Sequence, residues 1–109
     1  MNTRHGAVKM NWRQEIGAAA ERLKGRIQVT PVMETAGFGL THLVEMKLEH
    51  LQHTGSFKAR GAFNTLLSSA VPPAGLVAAS GGNHGAAAAF AARSLGHNAK
   101  IFVPEMAGP

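Results

Sequence analysis

Apolar residues near the start of the chain recur at helical intervals. Trp12, Ile16, Ala20, Leu23 and Ile27 share one face of a predicted helix. Asn11 can cap it, Gln14 follows three residues later, and Gly25 and Thr30-Pro31 bring it to an end. Alternation replaces this period in HLVEMKL (42–48), where Val44, Met46 and Leu48 fall on one face of a strand. The polar turn His53-Thr54-Gly55-Ser56 leads into a second helix, from Phe57 to about Ala70. Phe63, Leu66, Leu67 and Ala70 keep helical spacing there, and Pro72-Pro73 stops the segment.

The last third carries the sharpest pattern. LVAAS (76–80) and AKIFVP (99–104) read as short buried strands. Between them lie the tight turn GGNHG and the helix AAAAFAARSL, ended by Gly96. Residues 76–103 have the length of a βαβ unit, so the two strands should run parallel. Parallel sheets need cover on both faces and more strands than these. The chain stops at Gly108-Pro109, just past a strand, so it reads as the front part of a larger α/β protein. Residues 1–10 read as a disordered leader.

Composition narrows the classes. Of 109 residues, 45% are hydrophobic and 16% charged, as in a globular domain. No apolar run is long enough to span a membrane, and the start lacks the apolar core of a secretory signal, so a cytoplasmic protein with no membrane partner is expected. Cysteine is absent, which removes disulfides, thiolate metal sites and thiol nucleophiles. Most of the net charge of +5 sits in residues 1–26, where Arg4, Lys9, Arg13, Arg22, Lys24 and Arg26 face only Glu15 and Glu21. The aromatic residues do not interleave with that basic arm, so no nucleic-acid partner is expected.

Two turns can carry chemistry. In Thr54-Gly55-Ser56-Phe57-Lys58-Ala59-Arg60-Gly61, Ser56 is a good N-cap and puts Lys58 in the first helical turn. The helix dipole and Arg60 disfavour a cation there, which favours a neutral, nucleophilic amine able to form a Schiff base. An exposed lysine that tolerates a small penalty fits the same residues. The second turn, Ser80-Gly81-Gly82-Asn83-His84-Gly85, lies where a strand passes into a helix. Its glycines and free N–H groups suit an anion, with Asn83 and Ser80 adding side-chain partners. Ser80, Gly82 and Gly85 also match a dinucleotide fingerprint with Ser in place of the first glycine, and Glu105 stands 20 residues on as a ribose partner. A turn whose glycines serve packing alone is the third possibility. His50 and His53 lack a third ligand, so no metal site is expected. The absence of Asp and of G-x-S-x-G leaves no serine-hydrolase arrangement.

Together, TGSFKARGAFN around Lys58 and SGGNHG after it resemble the fold-type II pyridoxal-phosphate enzymes. The match is to the serine/threonine dehydratase (threonine ammonia-lyase) and serine racemase group, and it runs over residues 12–109. Supporting stretches are Arg26-Ile27 before Thr30-Pro31, EMKLEHLQHTGSFKARGA, and AAFAARSLGHNAKIFVPEMAGP. Ala59 and the following RGA favour the dehydratase branch, since cysteine and threonine synthases usually carry an acid after the lysine.

The resemblance implies a three-layer αβα fold with a mostly parallel sheet, like the tryptophan synthase β chain. Residues 11–58 would begin a large cofactor domain and residues 59–109 a smaller α/β domain. It implies pyridoxal 5′-phosphate as cofactor, Lys58 as its Schiff-base residue and Cα base, Phe57 beside the ring, and Asn83 on the ring's 3′ oxygen. Ser80 and the backbone of Gly82, Asn83 and His84 would hold the carboxylate of L-serine or L-threonine, which would leave as a 2-oxo acid and ammonia. Racemases of the group typically carry a serine acid–base at the position of Gly81, so elimination is expected over racemisation. A racemase, a β-replacement enzyme, a dinucleotide-binding module and an inactive fragment remain the alternatives. The family's phosphate loop, pyridine-nitrogen partner and metal site fall beyond residue 109, so this chain alone is expected to be inactive, and the full-length protein to be a homo-oligomer.

Overall fold

The computed structural model describes residues 9–109, so most of the expected leader lies outside the described residues. Helix α1 (Trp12–Leu23) starts as expected: the Asn11 side chain accepts the N–H of Gln14 at 3.2 Å. Strands β1 (Val32–Thr35) and β2 (Val44–Lys47) pair antiparallel, with Val32 opposite Lys47 and Thr35 opposite Val44. Two 3-10 turns, Glu49–Leu51 and His53–Gly55, lead to α2 (Lys58–Leu67). Then β3 (Leu76–Ala79), α3 (Asn83–Ser94) and β4 (Ala99–Phe102) form the βαβ unit, and the strands run parallel, with Leu76 opposite Ala99 and Ala79 opposite Phe102.

The core lies between helices. Leu23 at the end of α1, Phe63 of α2 and Ala91 of α3 are buried together, with Ile27, Leu66, Leu67, Phe90 and Leu95 packed around them. Phe63 meets Phe90 edge-on at 6.1 Å between ring centres. Arg22 of α1 donates to the side-chain oxygen of Asn64 on α2 at 2.6 Å, which ties the two helices outside the apolar contact. The alanine run of α3 buries a face of small residues: Gly85, Ala87, Ala88, Ala91 and Ala92. Gly85 favours this approach, because a Cβ there would stand 3.0 Å from the Ile101 side chain and 3.2 Å from the Ser80 Cβ, a tight fit.

Several expectations change. The strand β1 is new: it follows Pro31, runs four residues, and exists by pairing with β2. The expected strand at 42–48 shortens to four residues, and Val44 is only half-buried. Helix α2 ends at Leu67 rather than near Ala70, where the Ser68 hydroxyl takes the Asn64 carbonyl and competes with the next turn. Helix α3 begins three residues earlier than expected, at Asn83. The apolar face of α1 is covered only at its end: Leu23 is buried, while Trp12 and Ile16 are 67% and 65% exposed. Likewise β3 and β4 are not buried strands in this chain, since Val77 and Phe102 stand in the open. The physical reason is shared. A pattern shows which side of an element is apolar, and α3 is the layer that covers one side of the two-stranded parallel sheet.

Candidate active site

Lys58 is presented by a tight and strained entry. Thr54 and Gly55 both adopt left-handed backbone, φ 61° and 77°, and Thr54 is β-branched, which makes that conformation costly. The Gly55 N–H closes on the Gln52 carbonyl at 2.9 Å. Ser56 then extends, and its buried hydroxyl accepts the N–H of Lys58 at 3.3 Å. That is the capping contact expected of Ser56, although Phe57 already has helical backbone. The Lys58 ammonium is exposed, lies 5.3 Å from the centre of the Phe57 ring, and has no carboxylate partner among the described residues.

The second turn is organised by Ser80. Its Oγ accepts the N–H groups of Gly82 at 3.2 Å and Gly85 at 3.0 Å, and so ties down the start of α3. With both acceptor positions engaged, its proton is what remains to donate to a ligand. The N–H groups of Asn83 and His84 lie between those two, in the first turn of α3, without a protein acceptor among the described residues. They point out of the positive end of the helix, a setting that favours an anion.

The two turns meet through α3. His53, just before the strained entry, stacks on Phe90 of α3 with ring centres 4.7 Å apart. Phe57, Lys58 and Arg60 share with His84 and Ala88 one cleft of about 530 Å³, whose far wall is β3. Ser80 and Gly81 line a second hollow with Phe102, Val103 and Pro104. Gly82 and Asn83 line neither; they lie in the turn that separates the two. Of the six expected site residues, the structure therefore brings Phe57, Lys58 and His84 to one cleft, leaves Ser80 at its neighbour, and sets Gly82 and Asn83 in the turn between Ser80 and His84.

One polar network has no counterpart in the sequence pattern. Glu49 accepts the Thr30 hydroxyl at 2.5 Å and the Gln52 amide at 3.5 Å, and it pairs with the Nε of Arg60. Lys47 donates to the Thr30 hydroxyl at 2.7 Å, and Gln52 bonds both backbone groups of Gln28 at 2.8 and 2.9 Å. Arg60 lowers the Glu49 carboxyl to about 2, against the opposing effect of burial, with Thr30 and Gln52 adding to it. Thr30 and Gln52 are nearly fully buried, and although both lie in stretches that carry the family resemblance, nothing in the sequence pattern joins Thr30 to Glu49 or Arg60.

The family described as pyridoxal-phosphate dependent enzyme matches residues 23–109. An L-threo-3-hydroxyaspartate ammonia-lyase from a Pseudomonas species is 48% identical over 79% of the chain and 28% of its own length. The catabolic L-threonine dehydratase of Escherichia coli is 39% identical over 84% of the chain and 29% of its own length. The crystal structure of serine racemase from Dictyostelium discoideum superposes with a TM-score of 0.77 at 34% identity, over 87% of this chain and 32% of that one. The chain thus spans less than a third of the length of the relatives it matches. Their likeness bears out the α/β fold of the fold-type II enzymes.

Proposed function

The chain belongs to the pyridoxal-phosphate-dependent enzymes, and from that membership we propose that it forms the front of a dehydratase acting on L-serine or L-threonine. The observation that carries this is the cleft lined by both Lys58 and His84, which brings an amine without a carboxylate partner among the described residues to the first turn of α3. Those residues fit the cofactor. The cleft has the volume of a small-molecule site, its lysine has no carboxylate partner among the described residues, and an aromatic ring flanks the amine. Lys58 would hold the cofactor covalently, Phe57 would pack beside its ring, and Asn83 would bond its 3′ oxygen.

When bound, the cofactor supplies an electron sink for charge developing at the substrate Cα. The chain's own residues do the rest. The Asn83 and His84 N–H groups, at the positive end of α3, hold the substrate carboxylate, and the Ser80 proton adds a third donor. Lys58 Nζ takes the Cα proton, acting as a general base close to the carbon it serves. The proton lost from Cα and the β-hydroxyl together make up the departing water, and the released enamine takes up water to give a 2-oxo acid and ammonia.

Racemisation of the same substrates is the second outcome to weigh, since a serine racemase is among the structural relatives. Gly81 disfavours it here, because it offers no side chain to return a proton on the other face of Cα. Family membership takes the place of the dinucleotide alternative built on Ser80, Gly82, Gly85 and Glu105. The division of the chain at residues 58 and 59, large domain before and smaller domain after, belongs to the same proposal. Product analysis tests it: the longest product of the gene carrying residues 1–109 should turn L-threonine or L-serine into a 2-oxo acid and ammonia. Formation of the D-amino acid instead would favour the racemase.

A further inference from the structure

We propose that Glu49 is a positioning residue, whose carboxylate holds Arg60 and thereby sets the roll of α2 that directs Lys58 into its cleft. The inference rests on the reading of Lys58 given above and adds a residue to it. Lys58 follows a strained entry: Thr54 and Gly55 are both left-handed, and Thr54 is β-branched. Such an entry needs ties on both sides. On the upstream side, Gln52 supplies them, bonding the backbone of Gln28 and the N–H of His53. On the downstream side, the pair between Arg60 and Glu49 adds to the Ser56 cap and the burial of Phe63, and Glu49 is itself gripped by Thr30 and Gln52.

The geometry of a helix makes that tie specific for Lys58. Residues 58 and 60 are separated by about 200° around the axis, so fixing Arg60 fixes the direction in which Lys58 leaves the helix. The donor is the Nε of a planar guanidinium, which constrains orientation as a lysine ammonium at that position would not. The Arg60 and Glu49 side chains are 33% and 17% exposed, so water competes weakly for the pair. Arg60 holds the Glu49 carboxyl below its ordinary range, so Glu49 is ionised near neutral pH and the tie stays charged.

The test compares labelling at two lysines in the longest product of the gene carrying residues 1–109. Protein is exposed briefly to pyridoxal phosphate, quenched with borohydride and mapped by peptide mass, with the exposed Lys24 as internal reference. Wild type should label Lys58 in strong preference to Lys24. Glu49→Gln and Arg60→Lys should each lower the Lys58-to-Lys24 ratio by about 10-fold or more, the scale on which small misplacements act. Leu23→Val, which loosens the core between α1, α2 and α3, should lower the melting temperature and leave the ratio at its wild-type value. A wild-type ratio in Glu49→Gln, or an equal loss in Leu23→Val, would overturn the positioning role while leaving Lys58 as the cofactor residue. A wild type with no preference for Lys58 would overturn the functional reading, and this proposal with it.

Discussion

The Nε of Arg60, two residues beyond Lys58 on α2, is paired with the carboxylate of Glu49, which lies two turns of chain earlier beside the buried Thr30 hydroxyl. The contact joins the first 3-10 turn after β2 to the first turn of the helix that offers the candidate catalytic amine. It also holds the Glu49 carboxyl well below its ordinary range.

That contact makes stability depend on pH in a defined sense. The Glu49 carboxyl falls from 4.5 to about 2, chiefly through its hydrogen bond from Arg60. A folded value below the unfolded one means the ionised form stabilises the fold above about 4.5, and the contribution fades as pH drops from 4.5 towards 2. Glu49→Gln is expected to lose about 2 kcal/mol at pH 7. Urea denaturation of wild type and variant should show that gap shrinking steadily below pH 4.5.

Lys58→Ala should separate chemistry from folding. The side chain is exposed and makes no ion pair among the described residues, so its loss should change stability by less than about 0.5 kcal/mol. Turnover of L-threonine or L-serine by the longest gene product should disappear. A melting curve recorded beside the product assay checks both halves.

Ser80→Ala acts differently, since the hydroxyl organises the start of α3. Losing its bonds from Gly82 and Gly85 should cost about 1 kcal/mol of stability. Because the same turn presents the Asn83 and His84 N–H groups, the apparent affinity for substrate should weaken too. Chemical denaturation and a substrate titration, read together, test the pairing of these two effects.

Gly81→Ser tests why elimination is favoured. Gly81 does not require left-handed backbone, and an added Cβ would meet Ala107 at 3.3 Å and Pro104 at 3.4 Å, contacts that a small shift relieves. The variant should fold and gain D-amino acid formation that wild type lacks, while 2-oxo acid output stays within about 10-fold of wild type. Chiral chromatography of the product mixture would show it.

Much of this was legible in the residues, and the reasons differ by element. The βαβ unit was readable because two apolar runs flank a glycine turn and an alanine helix, and its length permits only a parallel crossover; Leu76 pairs with Ala99 accordingly. The Ser56 contact to Lys58 was readable because capping is a local rule. Strand β1 was not, since Val32–Thr35 is too short to show a period and is a strand only by pairing with β2. Nor could spacing show that His53 stacks on Phe90, or that Thr30, Glu49, Gln52 and Arg60 converge. Those contacts join segments far apart in sequence. The open faces around Trp12 and Val77 belong to the same class: sequence marks them as apolar without naming what lies against them.

The most direct test of the central claim is where pyridoxal phosphate attaches. The longest product of the gene would be incubated with the cofactor to equilibrium, reduced with borohydride, digested and mapped. A single reduced adduct on Lys58, abolished in Lys58→Ala, is the predicted result. Adducts scattered over surface lysines, or a folded protein with none at Lys58, would contradict it.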